Sequence, residues 1–158
     1  MKAFILILGL LMVSCGQPRS TEPRTIEPEP YHSRNHQVQF RNFEINYSIF
    51  NTTFLAPSIA SSYNLKRSKK TALINITVIK INEDGSRSPH TANIKGTEFD
   101  LIIKKPLNFS PIKEKNALYY IASVEIQNKI PLYFDIQIQP EKGKPAYNLT
   151  FKKLLYVD

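Results

Sequence analysis

The sequence predicts an all-β fold: an antiparallel β-sandwich of immunoglobulin-like topology, with a small open β-barrel as the alternative. Three observations carry that expectation. Period-two alternation of apolar and polar residues recurs from Gln37 onward. Turn chemistry separates the alternating stretches at short intervals. Helical spacing appears at just one place, beside Pro57. A chain of 158 residues leaves room for one well-cored domain and not for two.

The elements follow in order. Phe43, Ile45, Tyr47 and Ile49 alternate with Glu44, Asn46 and Ser48, the pattern of a half-buried strand. Val38 and Phe40 join the same face if Arg41-Asn42 inserts a bulge. Pro57 suits the first position of one short helix near 57–63, with Ile59, Ala60 and Tyr63 on one side. Thr71 to Lys80 is a β-branched run, and Asn82-Glu83-Asp84-Gly85 is a turn after it. A strand from His90 to Gly96 is expected after Pro89, and another from Phe99 to Lys104, ended by Pro106.

The clearest hairpin is expected near the C-terminus. Leu118, Tyr120, Ala122, Val124 and Ile126 alternate with polar or outward residues. After Asn128-Lys129-Ile130, Leu132, Phe134, Ile136 and Ile138 do the same. A three-residue loop pairs Val124 with Phe134 and Ala122 with Ile136 on one face, and Ser123 with Asp135 on the other. Tyr147 to Val157 gives a last strand, for six or seven in all. Asp158, closing that strand, implies a complete domain.

The N-terminal stretch, residues 1–36, is different. Lys2 precedes an eleven-residue apolar run, Ala3 to Val13, too short for a bilayer span of ~20 residues but of signal-peptide length. Met12-Val13-Ser14-Cys15-Gly16 follows, and this resembles the bacterial lipoprotein signal, with Met12 where leucine is usual. The resemblance implies that residues 1–14 are removed and that Cys15 carries diacylglycerol and then an N-acyl chain such as palmitate. Gly16, rather than Asp, after the Cys implies the outer membrane, on its periplasmic side. Two or three chains anchor firmly where one is marginal, since each buried CH₂ contributes ~0.8 kcal/mol. Loss of Lys2 takes the formal charge from +8 to +7. Residues 15–36 hold the Cys and a Pro-rich leash with Pro18, Pro23, Pro28 and Pro30, where Arg and Glu balance and apolar periodicity is missing. The sandwich is expected over 37–158.

Composition narrows the chemistry. One Cys excludes a disulfide framework and a Cys-clustered zinc site, and five Gly without GxGxxG or GxxxxGK spacing exclude a phosphate-cradling loop. His32 and His36 are four apart, but a Pro-rich leash supplies neither helix nor third ligand, so no metal site is expected. His90, beside Pro89, reads as an exposed turn residue. GxSxG does not occur, and Glu125 and Asp135, though expected on one sheet face, read as surface charge. No catalytic residue and no cofactor is expected.

Lys66, Arg67, Lys69 and Lys70 form the densest charge cluster, in a loop before a strand. Such a loop suits lipid phosphate, lipopolysaccharide or an acidic partner, or is simply solvated. Nucleic acid is not a partner expected of an exported protein. Tyr119, Ile121 and Tyr133 project from the face opposite the expected core, and are either a second buried layer or an apolar patch for a peptide or glycan.

Several blocks resemble a known family. They are Phe43 to Pro57, Lys66-Arg67-Ser68-Lys69 with Ala72 to Ile76, Ala117 to Ala122, Phe134 to Pro140, and the closing Tyr156-Val157-Asp158. Together they are similar to bacterial envelope proteins of the "domain of unknown function 4426" family, with Asn108 to Asn116 departing from its pattern. The resemblance implies fold and location but no activity. The expectation is a non-enzymatic lipoprotein binding an envelope protein, lipid or glycan. The alternative is an enzyme or ligand carrier with a site near loop 66–70 and Asp135.

Overall fold

The alternation folds as ten strands in two antiparallel sheets in a computed structural model that describes residues 36–100 and 102–157. The first sheet takes β1 (His36–Phe40), β2 (Phe43–Asn51), β3 (Thr71–Ile81), β8 (Ala117–Glu125) and β7 (Ser110–Glu114) in that spatial order. A short β4 (Arg87–Pro89) pairs with the far end of β3. The second sheet runs β10 (Tyr147–Leu154), β9 (Pro131–Gln139), β5 (Asn93–Phe99), β6 (Lys104–Leu107). The arrangement is sandwich-like and no closed barrel forms among the described residues. The chain passes between sheets after β4, β6 and β8, so neighbours in sequence often face each other across the core.

Inward-facing residues fill the space between the sheets. Phe43, Ile45, Ile74, Ile76, Val78, Ala122 and Val124 come from the first sheet, and Phe134, Ile136, Ile138 and Leu149 from the second, all buried. Each fully buried Val, Ile or Phe stabilises the fold by ~1.5–3 kcal/mol. Phe151 joins the layers, with its ring 4.7 Å from that of Phe134 and 5.1 Å from that of Tyr47.

Pro57 does begin the expected short helix, α1 (Pro57–Ser62), but only Ala60 of its expected apolar side is buried, and Ile59 is exposed. After α1, the Tyr63 hydroxyl bonds the Glu114 carboxylate on β7. Leu73, on the outer face of β3, is buried although it lies outside the core between the sheets. The 52–70 segment therefore crosses the outer face of the first sheet before returning to β3.

Several expected details differ. Arg41-Asn42 makes a two-residue hairpin turn joining β1 to β2, with Arg41 at φ 55°, and no bulge. The strand expected from His90 begins instead at Asn93, because the chain changes sheet between the two: the His90 N–H still donates to the Val78 carbonyl, in the first sheet. Phe99 to Lys104 is not a strand. Asp100 Oδ1 accepts the N–H groups of Ile102 (2.8 Å) and Ile103 (2.7 Å), which turns the chain from β5 into β6, and β6 runs through Pro106 on a sheet edge.

The largest difference concerns the expected C-terminal hairpin. β8 pairs with β3, Ala122 opposite Ile74, and β9 pairs with β10, Ile136 opposite Leu149. Val124 and Phe134 belong to different sheets. Alternation fixes which side of a strand faces the core, but the same inward face serves a hairpin partner or a strand across the sandwich.

Candidate functional site

One end of the sandwich gathers both ends of the segment 52–70 with residues 100, 102–103, 126–130 and 155–157, where β2, β5, β8 and β10 finish and β3, β6 and β9 begin. Thr52 fixes the basic loop there. Its hydroxyl lies 3.1 Å from the Ser68 carbonyl and 3.2 Å from that of Thr71, and it accepts the Ser68 N–H at 2.9 Å. Thr52 is fully buried, which makes these bonds costly to lose. Lys66, Arg67, Lys69 and Lys70 are all exposed. Arg67 folds back to donate to the Thr53 carbonyl at 2.9 Å.

Lys66 and Lys70 line a cleft of about 420 Å³ between the sheet ends. Glu125, on β8 opposite Thr71, stands on their own side, and Glu98, Asp100 and Lys105 stand across on the second sheet, while Ile126 and Leu132 supply apolar wall. Lys105 Nζ lies 3.8 Å from Glu125 Oε2, so β6 of one sheet meets β8 of the other at the rim. Both groups are exposed, and such a contact contributes little.

Glu98 is the unusual member. It is 8% exposed, and its Oε2 has no hydrogen-bond partner. Burial pushes its carboxyl above the ordinary range; Lys105 opposes this, and Glu125 and Asp100 add to it. Asp100 is shifted the other way, held low by the N–H groups of Ile103 and Ile102. The cleft thus offers cations for a phosphate or carboxylate and one carboxyl able to pair with a donor.

The other sequence candidates disperse. Asp135 sits mid-strand in β9, opposite Thr97 and Thr150, and does not line the cleft. Glu125 and Asp135 share no face, because β8 and β9 lie in different sheets. Tyr119 and Ile121 are on the outer face of the first sheet, Tyr119 lining a groove of about 320 Å³ with Asn46, Asn75 and Thr77. Tyr133 is on the outer face of the second, stacked on Phe99 at 5.2 Å with Lys152 Nζ over its ring at 5.2 Å. These three form no common patch.

His90 is half-buried: its ring lies 5.0 Å from that of Phe43 and its Nε2 3.2 Å from the Pro140 carbonyl. His36 stacks on Tyr47 at 5.0 Å. Among the described residues no three His, Cys, Asp or Glu side chains gather as a metal site would require. The signal 1–14, Cys15, the leash to residue 35 with His32, and Asp158 lie outside the described residues.

Sequence reasoning missed Glu98. A signal existed: Ile94, Gly96 and Glu98 share the inward phase of one strand, and a glutamate in that phase is unusual.

Residues 37–158 match the family model described as a domain of unknown function, DUF4426. Among solved structures, the crystal structure of a DUF4426 family protein from Pseudomonas aeruginosa PAO1 is 30% identical, with a TM-score of 0.66. The match covers 78% of this chain and 96% of that one. Two structures of FetP from uropathogenic Escherichia coli strain F11 share the fold at 12% identity. A copper-bound variant has a TM-score of 0.52, covering 80% of this chain and 97% of that one. The as-isolated protein, recombinantly expressed in the periplasm, has 0.51, with 80% and 95% covered. No curated protein sequence matches the chain. The family model spans every strand but the first residue of β1, and a relative of the same architecture carries the same family assignment: the chain belongs to the DUF4426 family.

Proposed function

We propose that this protein is a lipid-anchored module of the bacterial envelope that acts by binding rather than by catalysis. Cys15 is its attachment to the outer membrane, and the loop end of the sandwich is its binding region. One observation carries the second part: the exposed basic loop stands at the mouth of the cleft, with Lys66 and Lys70 in its lining. Guanidinium and ammonium groups on a loop whose backbone is held by the Thr52 bonds suit an anionic partner better than a freely moving tail would. For the anchor, the support is the sequence around Cys15, and the periplasmic expression of the FetP neighbour agrees with an exported fold.

Two experiments test it. Cys15→Ser should abolish palmitate labelling and move the protein out of the membrane fraction; unchanged labelling sinks the lipoprotein reading. Crosslinking in cells should yield adducts that disappear when Lys66, Arg67, Lys69 and Lys70 are changed to Glu. Identical adducts in the two strains remove the basic loop.

A second reading, a small-ligand carrier, is favoured by the unpartnered Glu98 Oε2 inside the cleft. Such a carrier would pair that carboxyl with an N–H donor, and Glu98→Gln would change ligand retention after purification from the periplasm.

A further inference from the structure

The large apolar side chains most open to water among the described residues are Phe54, Ile59, Ile102, Ile103, Ile130 and Leu154. Ile59 lies on α1, which crosses the outer face of the first sheet, and the other five belong to segments at the loop end. Scattered single exposures need no explanation, but a set confined to one end does. Ile102 is 91% exposed and Ile103 52%, side by side at the tip between β5 and β6. Ile103 and Ile130 both line the rim of the cleft. Asp100 Oδ1 accepts the N–H groups of both isoleucines.

The cations surround this tip. Lys104 and Lys105 follow it directly, and Lys66 and Lys70 stand across the cleft. The acids nearby are Asp100, whose Oδ1 accepts the N–H groups of the turn, Glu125, 3.8 Å from Lys105, and the buried Glu98. β1 runs away from this end, so its first residue, His36, is the residue of β1 nearest to it.

We propose that the loop end docks on an anionic phospholipid surface, with Ile102 and Ile103 inserted among the headgroups and Lys66, Lys70, Lys104 and Lys105 on the phosphates. This goes beyond the binding reading by naming the surface bound, and it rests on that reading only in using the same end of the molecule. Two features favour lipid over an acidic protein. The most exposed apolar group, Ile102, stands on a loop tip outside the lining of the cleft, and cations follow directly on that tip. Shallow apolar insertion beneath a ring of lysines is the arrangement that gains from both the acyl boundary and the anionic headgroups.

The test uses the chain from residue 15 with Cys15→Ser, which keeps every described residue and lacks both leader and acyl chains. It is sedimented with vesicles of phosphatidylcholine alone or with added phosphatidylglycerol. Binding is expected only with phosphatidylglycerol, and should fall as salt rises. Ile102→Glu should weaken it about tenfold or more, Ile102→Ser several-fold, and Lys66→Gln with Lys70→Gln about tenfold. Unchanged thermal midpoints check that these exposed substitutions leave the fold intact. No preference for phosphatidylglycerol, or indifference to both Ile102 substitutions, overturns the proposal. Loss of vesicle binding with protein crosslinks intact overturns this inference alone; lost crosslinks with vesicle binding intact overturn only the protein-partner reading.

Discussion

The backbone N–H of Ala92 donates to the Tyr120 hydroxyl at 2.8 Å. This bond ties the passage from β4 to β5, where the chain changes sheet, to the middle strands of the first sheet. Tyr120 is buried, and the bond satisfies a backbone donor that no ladder serves. Tyr120→Phe should therefore lower stability by about 1–2 kcal/mol in urea unfolding. A change indistinguishable from zero means the N–H finds water instead.

Gly96 marks a close approach between strands. A Cβ placed there would meet the Asp135 carbonyl oxygen and Ile136 Cγ1, each at 3.0 Å. Gly96→Ala should cost about 1–3 kcal/mol through overpacking. Gly85→Ala has open space but a φ of +80°, and should cost about 1 kcal/mol through backbone strain alone. Thermal unfolding of the two variants separates the mechanisms, Gly96→Ala being the more damaging.

Thr52→Val keeps the shape of a fully buried side chain and removes its hydroxyl. Ser68 then loses an acceptor for its N–H. A loss of about 1–3 kcal/mol is expected, the cost of a buried polar group left unmade. Amide hydrogen exchange at residues 66–70 should speed up while exchange in β9 changes little. Uniform acceleration would show that Thr52 supports the whole fold and not the loop.

Glu98 makes stability depend on pH. Burial raises its carboxyl above the ordinary 4.5, so the folded state holds the proton more tightly than the unfolded chain. The associated stability is complete below the unfolded value and is lost as pH rises through the folded one. Glu98→Gln cannot titrate, so its stability should be flatter across that window, and the wild-type minus variant difference should fall as pH increases. Parallel curves for the two proteins would count against a buried, proton-holding Glu98.

Much of the fold was legible because burial writes itself into period two. Phe43, Ile45 and Tyr47 face the core as their alternation requires, and Pro57 opens α1. Pairing was not legible. Ala122 and Ile136 carry the same pattern whether hydrogen-bonded side by side or stacked across the sandwich, and nothing local distinguishes the two. The basic loop was readable as a cluster from residues 66–70 alone. Ile102 was not, and Glu98 was readable only as an acid in an inward phase, because their place in the site depends on where β5 ends relative to β3 and β8, a relation between residues far apart in sequence.

Pro106 and Pro111 stand on β6 and β7, the edge strands of the two sheets on the side where Lys105 approaches Glu125. A proline has no N–H to offer a further strand. That flank of the molecule is consequently a poor template for sheet growth, and copies crowded together on a shared surface would meet there without zipping into a continuous β-structure.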